Sequence, residues 1–383
     1  MSRRVFFYVQ HLLGIGHLRR AAAIARALVA AGAEVTFVSG GEPVPTIDLD
    51  GAELVQLPAA SAADSGFSAV VDAAGQPIDA AWKDERRHQL LAHFADRRPD
   101  ILLIEMYPFG RRQFRFELTP LLEAAAARVN TAIGRPLIAC SLRDILVDKG
   151  RADRRAETVA LVDKFFDLIL VHGDPSLVTL DRTFADTAHI QHKLRYTGYV
   201  VEHLPPDGGN DRSHGEVLIS AGGGAVGAPL FDVAIAAKAL SRHRDRPWRL
   251  ITGRNLPTHL AAQIAAAAAR AGIAIEQFRS DFPRLLQDCL LSVSQGGYNT
   301  VMELIAARCP AVIVPFAEGR ESEQGLRGRL LAERGILQLI DPDSLTADRL
   351  VAAIDRAAAP TELALDLDGA AGTARLLLEA VMR

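Results

Sequence analysis

Leu290-Leu291-Ser292-Val293-Ser294-Gln295-Gly296-Gly297-Tyr298-Asn299-Thr300-Val301-Met302-Glu303 is the stretch that decides the fold. The apolar run at 290–293 reads as a buried strand, the glycines free the turn after it, and 300–306 reads as a helix. The helix N-terminus near Asn299 and Thr300 can hold a phosphate, and Glu303 lies one turn in on the same face. A carboxylate so placed can accept from both hydroxyls of a ribose. The competing reading of Thr300-x-x-Glu303 is a capping box, which needs no ligand. Pro310-Ala311-Val312-Ile313-Val314-Pro315 gives the next strand, and Glu323-Gln324 opens the next helix; Glu323 alone also fits an acid complementing a helix N-terminus.

The same strand-to-helix rhythm runs outward in both directions. Strands are expected at 217–220, 248–252, 274–277, 311–314 and 337–340, with helices at 231–240, 259–271, 300–306 and 324–333. Towards the start, strands at 5–9, 35–39, 101–104, 137–141 and 168–171 alternate with helices at 18–31, 79–97, 120–129 and 157–166. Between the two series, residues 200–216 concentrate turn formers around Pro205-Pro206-Asp207-Gly208-Gly209 and read as a linker. The expectation is α/β: two Rossmann-like domains, 1–199 and 217–383, with parallel sheets facing across a cleft. The last segment, 369–383, has helical spacing and can pack on either half.

Length and composition agree with this. The 383 residues exceed what one core usually organises, which favours two domains of about 190 residues each. With 43 Lys and Arg against 46 Asp and Glu, nothing global draws the chain to nucleic acid or an anionic membrane. Cys140, Cys289 and Cys309 are odd in number and sit in or beside apolar segments, which fits buried free thiols in a reducing compartment. No uncharged apolar run is long enough to span a bilayer and the start lacks a secretory cleavage signal, so a cytoplasmic location is expected.

Three further clusters fall at strand ends. Gly14-Ile15-Gly16-His17 follows the first strand and opens a helix, which suits a ligand approaching backbone amides, or is an ordinary turn needing glycine for positive φ. His17 there is a candidate general base. Gly222-Gly223-Gly224-Ala225-Val226-Gly227 satisfies G-x-G-x-x-G, yet the following strand leads to Gly253-Arg254 rather than to an acid, which favours phosphate over NAD or FAD. Glu105-Met106-Tyr107-Pro108-Phe109-Gly110-Arg111-Arg112 ends another strand. There Glu105 can orient a base, Tyr107 faces the acceptor region, and Arg111 and Arg112 can bind an anionic acceptor, form a solvated basic turn, or touch a membrane together with Phe114 and Phe116. Ser141-Leu142-Arg143-Asp144 is a further candidate for the same crevice. Asp48-Leu49-Asp50 and Asp366-Leu367-Asp368 read as surface turns, and no metal site is expected.

Residues 294–324 resemble the donor-binding motif of GT-B glycosyltransferases, in particular the MurG-like group of glycosyltransferase family 28 and, more distantly, UDP-glucuronosyltransferases. Gly14, Gly16 and His17 resemble the start of the same group. The resemblance implies that Glu303 binds the ribose of a nucleotide sugar, that Gln295, Gly296, Gly297 and the Gly222–Gly224 loop hold its diphosphate, and that Glu323 and Gln324 bind sugar hydroxyls. It places Phe278 and Arg279 at the base, and uridine over other bases. Gln295 stands where the glucuronosyltransferase-like relatives have histidine.

The function expected is an inverting, metal-independent transfer of a hexose or N-acetylhexosamine from a UDP-sugar to a hydroxyl acceptor, anionic or lipid-linked, without a further cofactor. The alternatives are a UDP-sugar 2-epimerase of the same fold and a non-catalytic nucleotide-sugar-binding module.

Overall fold

The computed structural model describes residues 2–12, 14–63, 69–130, 134–147, 150–201, 212, 215–222, 227–253, 256–279, 281–316, 323–361 and 364–382. The chain divides into two compact units, one of Met1–Val200 with Leu365–Arg383 and one of Val201–Ala364. Most of the expected linker lies outside the described residues.

The first unit contains β1 (Arg4–Val9), α1 (Gly16–Ala30), β2 (Glu34–Ser39), β3 (Glu53–Gln56), β4 (Ala60–Ala62), β5 (Val70–Asp72), α2 (Ala80–Arg97), β6 (Ile101–Glu105), α3 (Arg115–Ala126), β7 (Leu137–Arg143), α4 (Ala152–Phe165), β8 (Leu168–His172), α5 (Thr187–Ile190) and β9 (Leu194–Tyr196). Seven of these strands form one parallel sheet in the order β3-β2-β1-β6-β7-β8-β9. The β1 run Val5-Phe6-Phe7-Tyr8-Val9 is apolar throughout because helices cover both faces of a parallel sheet. Phe6 and Tyr8 pack with α2 and α3 residues such as Phe94 and Leu118, while Val5, Phe7 and Val9 pack on Ala21, Ile24 and Leu28 of α1. The two-residue side-chain period thus divides one strand between two core layers.

The second unit runs β10 (Val217–Ser220), α6 (Ala228–Leu240), β11 (Trp248–Ile251), α7 (Thr258–Arg270), β12 (Ala274–Glu276), α8 (Phe282–Asp288), β13 (Leu291–Ser294), α9 (Tyr298–Ala306), β14 (Ala311–Ile313), α10 (Glu323–Glu333), β15 (Gln338–Leu339) and α11 (Ala347–Arg356). Its parallel sheet has the order β12-β11-β10-β13-β14-β15. Both sheets reverse direction of growth beside their first strand, between β1 and β6 and between β10 and β13. Ligands of doubly wound sheets bind at such points, at the carboxyl ends of the strands.

The closing helix α12 (Gly369–Val381) joins the first unit, where Ala374 and Leu377 enter the core layer of α1. Gly372 lets it come close, since a Cβ there would stand 2.3 Å from the Thr197 carbonyl oxygen. Helix α3 begins at Arg115, not at Pro120, which lies inside it. Sequence reading places a proline at the first turn because it cannot donate to the carbonyl four residues back. Here the apolar face Leu118, Leu121 and Leu122 holds the helix despite that loss.

Candidate functional site

In the first unit, β6 ends on Glu105 and β7 brings Ser141 into register beside it. Helix α1 starts nearby, with His17 in its first turn and Arg20 one turn further. His17 Nδ1 lies 3.0 Å from Glu105 Oε1, Arg20 Nη2 donates to the same oxygen, and Ser141 Oγ donates to Oε2. Behind Ser141, His172 Nε2 is 2.8 Å from its hydroxyl and His172 Nδ1 is 2.9 Å from Thr197 Oγ1. Glu105, Ser141 and His172 are fully buried, whereas the His17 side chain is 20% exposed and therefore reachable.

The charges follow from these contacts. Burial works against ionisation of Glu105, but Arg20 and the hydrogen bond from His17 outweigh it and hold the carboxyl well below its usual range. Burial, reinforced by Arg111 and Arg20, pushes the His17 imidazole down to about 3. Burial and Arg20 bring His172 down to about 3 as well. His17, the candidate general base, is thus a neutral imidazole at physiological pH. An ionised carboxylate can only accept, so the His17 proton sits on Nδ1 and the lone pair on Nε2. Arg20 Nη2 also lies 3.1 Å from Nδ1. The opposite tautomer would set a lone pair against the carboxylate.

The surrounding residues divide. Gly14 and Gly16 have no positive φ, so the turn does not demand glycine, and a Cβ at Gly14 would meet open space. Arg111 donates from Nε to the Gln10 carbonyl at 2.6 Å, and burial pushes it down to about 10, still charged at neutral pH. Arg143, half-buried at the end of β7, adds its charge beside Arg111. Tyr107 does not face an acceptor: it is 2% exposed and its hydroxyl pairs with Thr119 at 3.2 Å. Arg112 turns away to Glu157 of α4. The basic-aromatic run makes no membrane patch either, because Phe114 is fully buried and Phe116 packs on the same core. Asp48 and Asp366 close turns on the amides of Asp50 and Asp368, as expected of surface turns.

In the second unit, Gln295, Gly296 and Gly297 link β13 to α9, and the Gln295 amide donates to Ser220 O of β10 at 3.3 Å. A Cβ at Gly296 would press Gln324 and Ile313 at 3.2 Å, so this glycine serves packing. Gly297 is the N-cap residue of α9 and has open space around it. Asn299, Thr300 and Glu303 share a partly exposed face of that helix. Since the cap is Gly297, Thr300 stands inside the helix and the capping-box reading of Glu303 fails. Gly222 has φ +55°, a left-handed value that favours glycine. Gly223, Gly224 and Arg254 lie outside the described residues.

Glu323 is turned inward: it is 4% exposed and accepts from Arg327 Nη2 at 2.9 Å, so a role on sugar hydroxyls does not fit it. Gln324 Oε1 accepts from the Phe316 amide at 3.0 Å. Phe278 is exposed beyond β12, and the Arg279 side chain is held by Asp281 and Glu276. Sequence reading missed Arg20, His172, Thr197 and Arg327. For Arg20 the signal was its three-residue spacing from His17; for His172 it was its place at the end of a central strand.

Two doubly wound sheets, each with its residue cluster at the strand carboxyl ends, define the GT-B fold of glycosyltransferases. Residues 218–371 match the sequence model of the glycosyltransferase family 28 C-terminal domain. The UDP-N-acetylglucosamine–N-acetylmuramyl-(pentapeptide) pyrophosphoryl-undecaprenol N-acetylglucosamine transferase of Exiguobacterium sibiricum is 30% identical over 144 residues, 37% of this chain and 39% of that protein. The chain thus aligns with about two-fifths of the length of such relatives. Among solved structures, the glycosyltransferase of kitacinnamycin superposes with a TM-score of 0.65 at 16% identity, covering 100% of both chains. Acinetobacter baumannii MurG gives 0.59 at 14% identity, covering 98% of this chain and 99% of its own. No described helix is long and apolar enough to cross a membrane.

Proposed function

We propose that the protein is an inverting glycosyltransferase that moves a hexose or N-acetylhexosamine from a UDP-sugar to a hydroxyl acceptor without a metal. The observation that carries this reading is the contact of His17 Nδ1 with the buried Glu105 carboxylate at 3.0 Å, in a chain whose residues 218–371 match the family 28 C-terminal domain model. His17 Nε2 takes the acceptor proton as the hydroxyl oxygen attacks the anomeric carbon, and the bond to the diphosphate oxygen breaks on the opposite face. Glu105 then stabilises the imidazolium. The amides at the start of α9 and the glycine loop at Gly222 receive the negative charge of the departing diphosphate, the role a metal plays elsewhere. Glu303 accepts from the ribose hydroxyls.

An imidazole held near 3, by burial first and by Arg111 second, becomes a stronger base when the repulsion from Arg111 is offset. An anionic acceptor resting on Arg111 supplies that offset, which supports a phosphorylated acceptor such as the pyrophosphoryl lipid named for the curated relatives. With such an acceptor the protein works at a membrane surface from the cytoplasmic side. The test is release of UDP from UDP-N-acetylglucosamine and UDP-glucose over an acceptor panel that includes a polyprenyl pyrophosphate sugar, with thymidine diphosphate sugars as the base control. Epimerised sugar from UDP-N-acetylglucosamine alone marks the 2-epimerase. Donor binding without turnover over the whole panel marks a binding module.

A further inference from the structure

Behind the His17–Glu105 contact, three more buried polar groups, Ser141, His172 and Thr197, continue in one line. The carboxylate sets the order of protons from its own end of the line, while at the far end the Thr197 hydroxyl also reaches the Gly198 carbonyl at 3.0 Å. Ser141 has a single hydroxyl proton and two neighbours, Glu105 Oε2 and His172 Nε2 at 2.8 Å. The carboxylate only accepts, so that proton goes to Glu105. His172 Nε2 must then carry a hydrogen and donate to Ser141 Oγ, which leaves His172 Nδ1 as the acceptor facing Thr197 Oγ1 at 2.9 Å. Thr373 of α12 lies 3.5 Å from the same Nδ1. Ser141 and His172 are fully buried and Thr197 is 3% exposed, so bulk water does not scramble the order.

We propose that Ser141 and His172 are positioning residues for His17: the line His172–Ser141–Glu105 fixes the carboxylate so that it keeps the His17 proton on Nδ1 and presents the Nε2 lone pair outward. This rests on the reading of His17 as the base, but its physical content is a tautomer and is measurable without any substrate. A histidine tautomer is set by the hydrogen bond its other nitrogen makes, and losing the Ser141 donor frees the carboxylate to turn about its remaining contact with Arg20.

The test is ¹⁵N NMR of the full-length protein labelled at histidine, near pH 7, with the His17 ring signals assigned by their loss in His17→Gln. In the wild type, His17 is expected as a single tautomer protonated at Nδ1 and His172 as the opposite one, protonated at Nε2. In Ser141→Ala and His172→Leu the His17 signal is expected to move to a mixture of tautomers, with melting curves confirming the fold. His172→Gln, whose amide nitrogen can donate to Ser141 from where Nε2 stood, is expected to restore the single tautomer, which a purely packing role would not do. Ser141→Ala removes one oxygen atom and decides the matter if His172→Leu does not fold. An unchanged His17 tautomer in Ser141→Ala, or a wild-type His172 protonated at Nδ1, overturns the proposal. Absence of turnover with every donor would remove the transferase reading and leave this result standing.

Discussion

The guanidinium of Arg327 lies 5.2 Å from the centre of the Tyr298 ring, and its Nη2 donates to Glu323 at 2.9 Å. One buried cation therefore ties the first residue of α9 to the first turn of α10, the two helix starts at the edge where the donor is proposed to bind. Removing it strands a carboxylate out of water. Arg327→Met is expected to cost about 3–5 kcal/mol of stability, because an unpaired buried charge costs far more than the pair contributes. Arg327→Lys should recover only part, since an ammonium neither stacks on the ring nor forks to the carboxylate. Chemical denaturation decides; an unchanged midpoint in Arg327→Met would show that Glu323 finds water.

Glu303→Ala is expected to weaken UDP binding ten- to a hundredfold with the melting temperature unchanged. The loss of a charged hydrogen-bonding group costs roughly 1.5–3 kcal/mol, and no capping contribution is lost because Gly297 caps α9. Titration calorimetry beside a melting curve separates the outcomes. Lost stability with normal affinity would return Glu303 to a structural role.

The strands and the proposed donor loop were legible because a parallel sheet writes itself as continuous apolar runs and because glycines mark 222 and 296–297 as special. What escaped depends on partners distant in sequence. Glu105 meets Arg20 across 85 positions, and His172 meets Thr373 across 201. A sequence shows Tyr107 and Arg112 as two members of one polar turn, but it cannot show that one is drawn to Thr119 and the other to Glu157. The edge strand β3 and helices α8 and α11 were also missed. Half-exposed or short, β3 and α8 carry too few apolar residues to declare a period, whereas α11 repeats Leu350, Ala353 and Ile354 at helical spacing after the Thr346 cap and was legible.

Acid should destabilise the first unit through its buried histidines. His172 titrates near 3 when folded, whereas an unfolded histidine titrates near about 6.5. Between those values the unfolded chain binds a proton that the native one does not, so stability rises with pH across the interval. The contribution is present in full above the unfolded value and is lost as pH falls towards the folded one. His172→Gln removes one such group, and its denaturation midpoint should fall less between pH 7 and pH 5 than that of the wild type. Parallel loss in both proteins would mean that His172 keeps an ordinary affinity for its proton.

The decisive variant is His17→Ala. The imidazole is the one partly exposed base of the cluster, poised with Nε2 outward by the Glu105 contact at 3.0 Å. Its loss is expected to lower kcat by about 10²–10⁴ with any acceptor that turns over, while UDP affinity, which is proposed to reside in the second unit, stays as it was. Glu105 cannot take over. It is fully buried, paired with Arg20 and held far below the range of a base that works at neutral pH. Glu105→Gln should therefore also depress kcat, because an amide can donate to Nδ1 and turn the imidazole to the wrong tautomer. Near-normal kcat in His17→Ala would place the base outside this cluster altogether, since no other member of it is both exposed and basic.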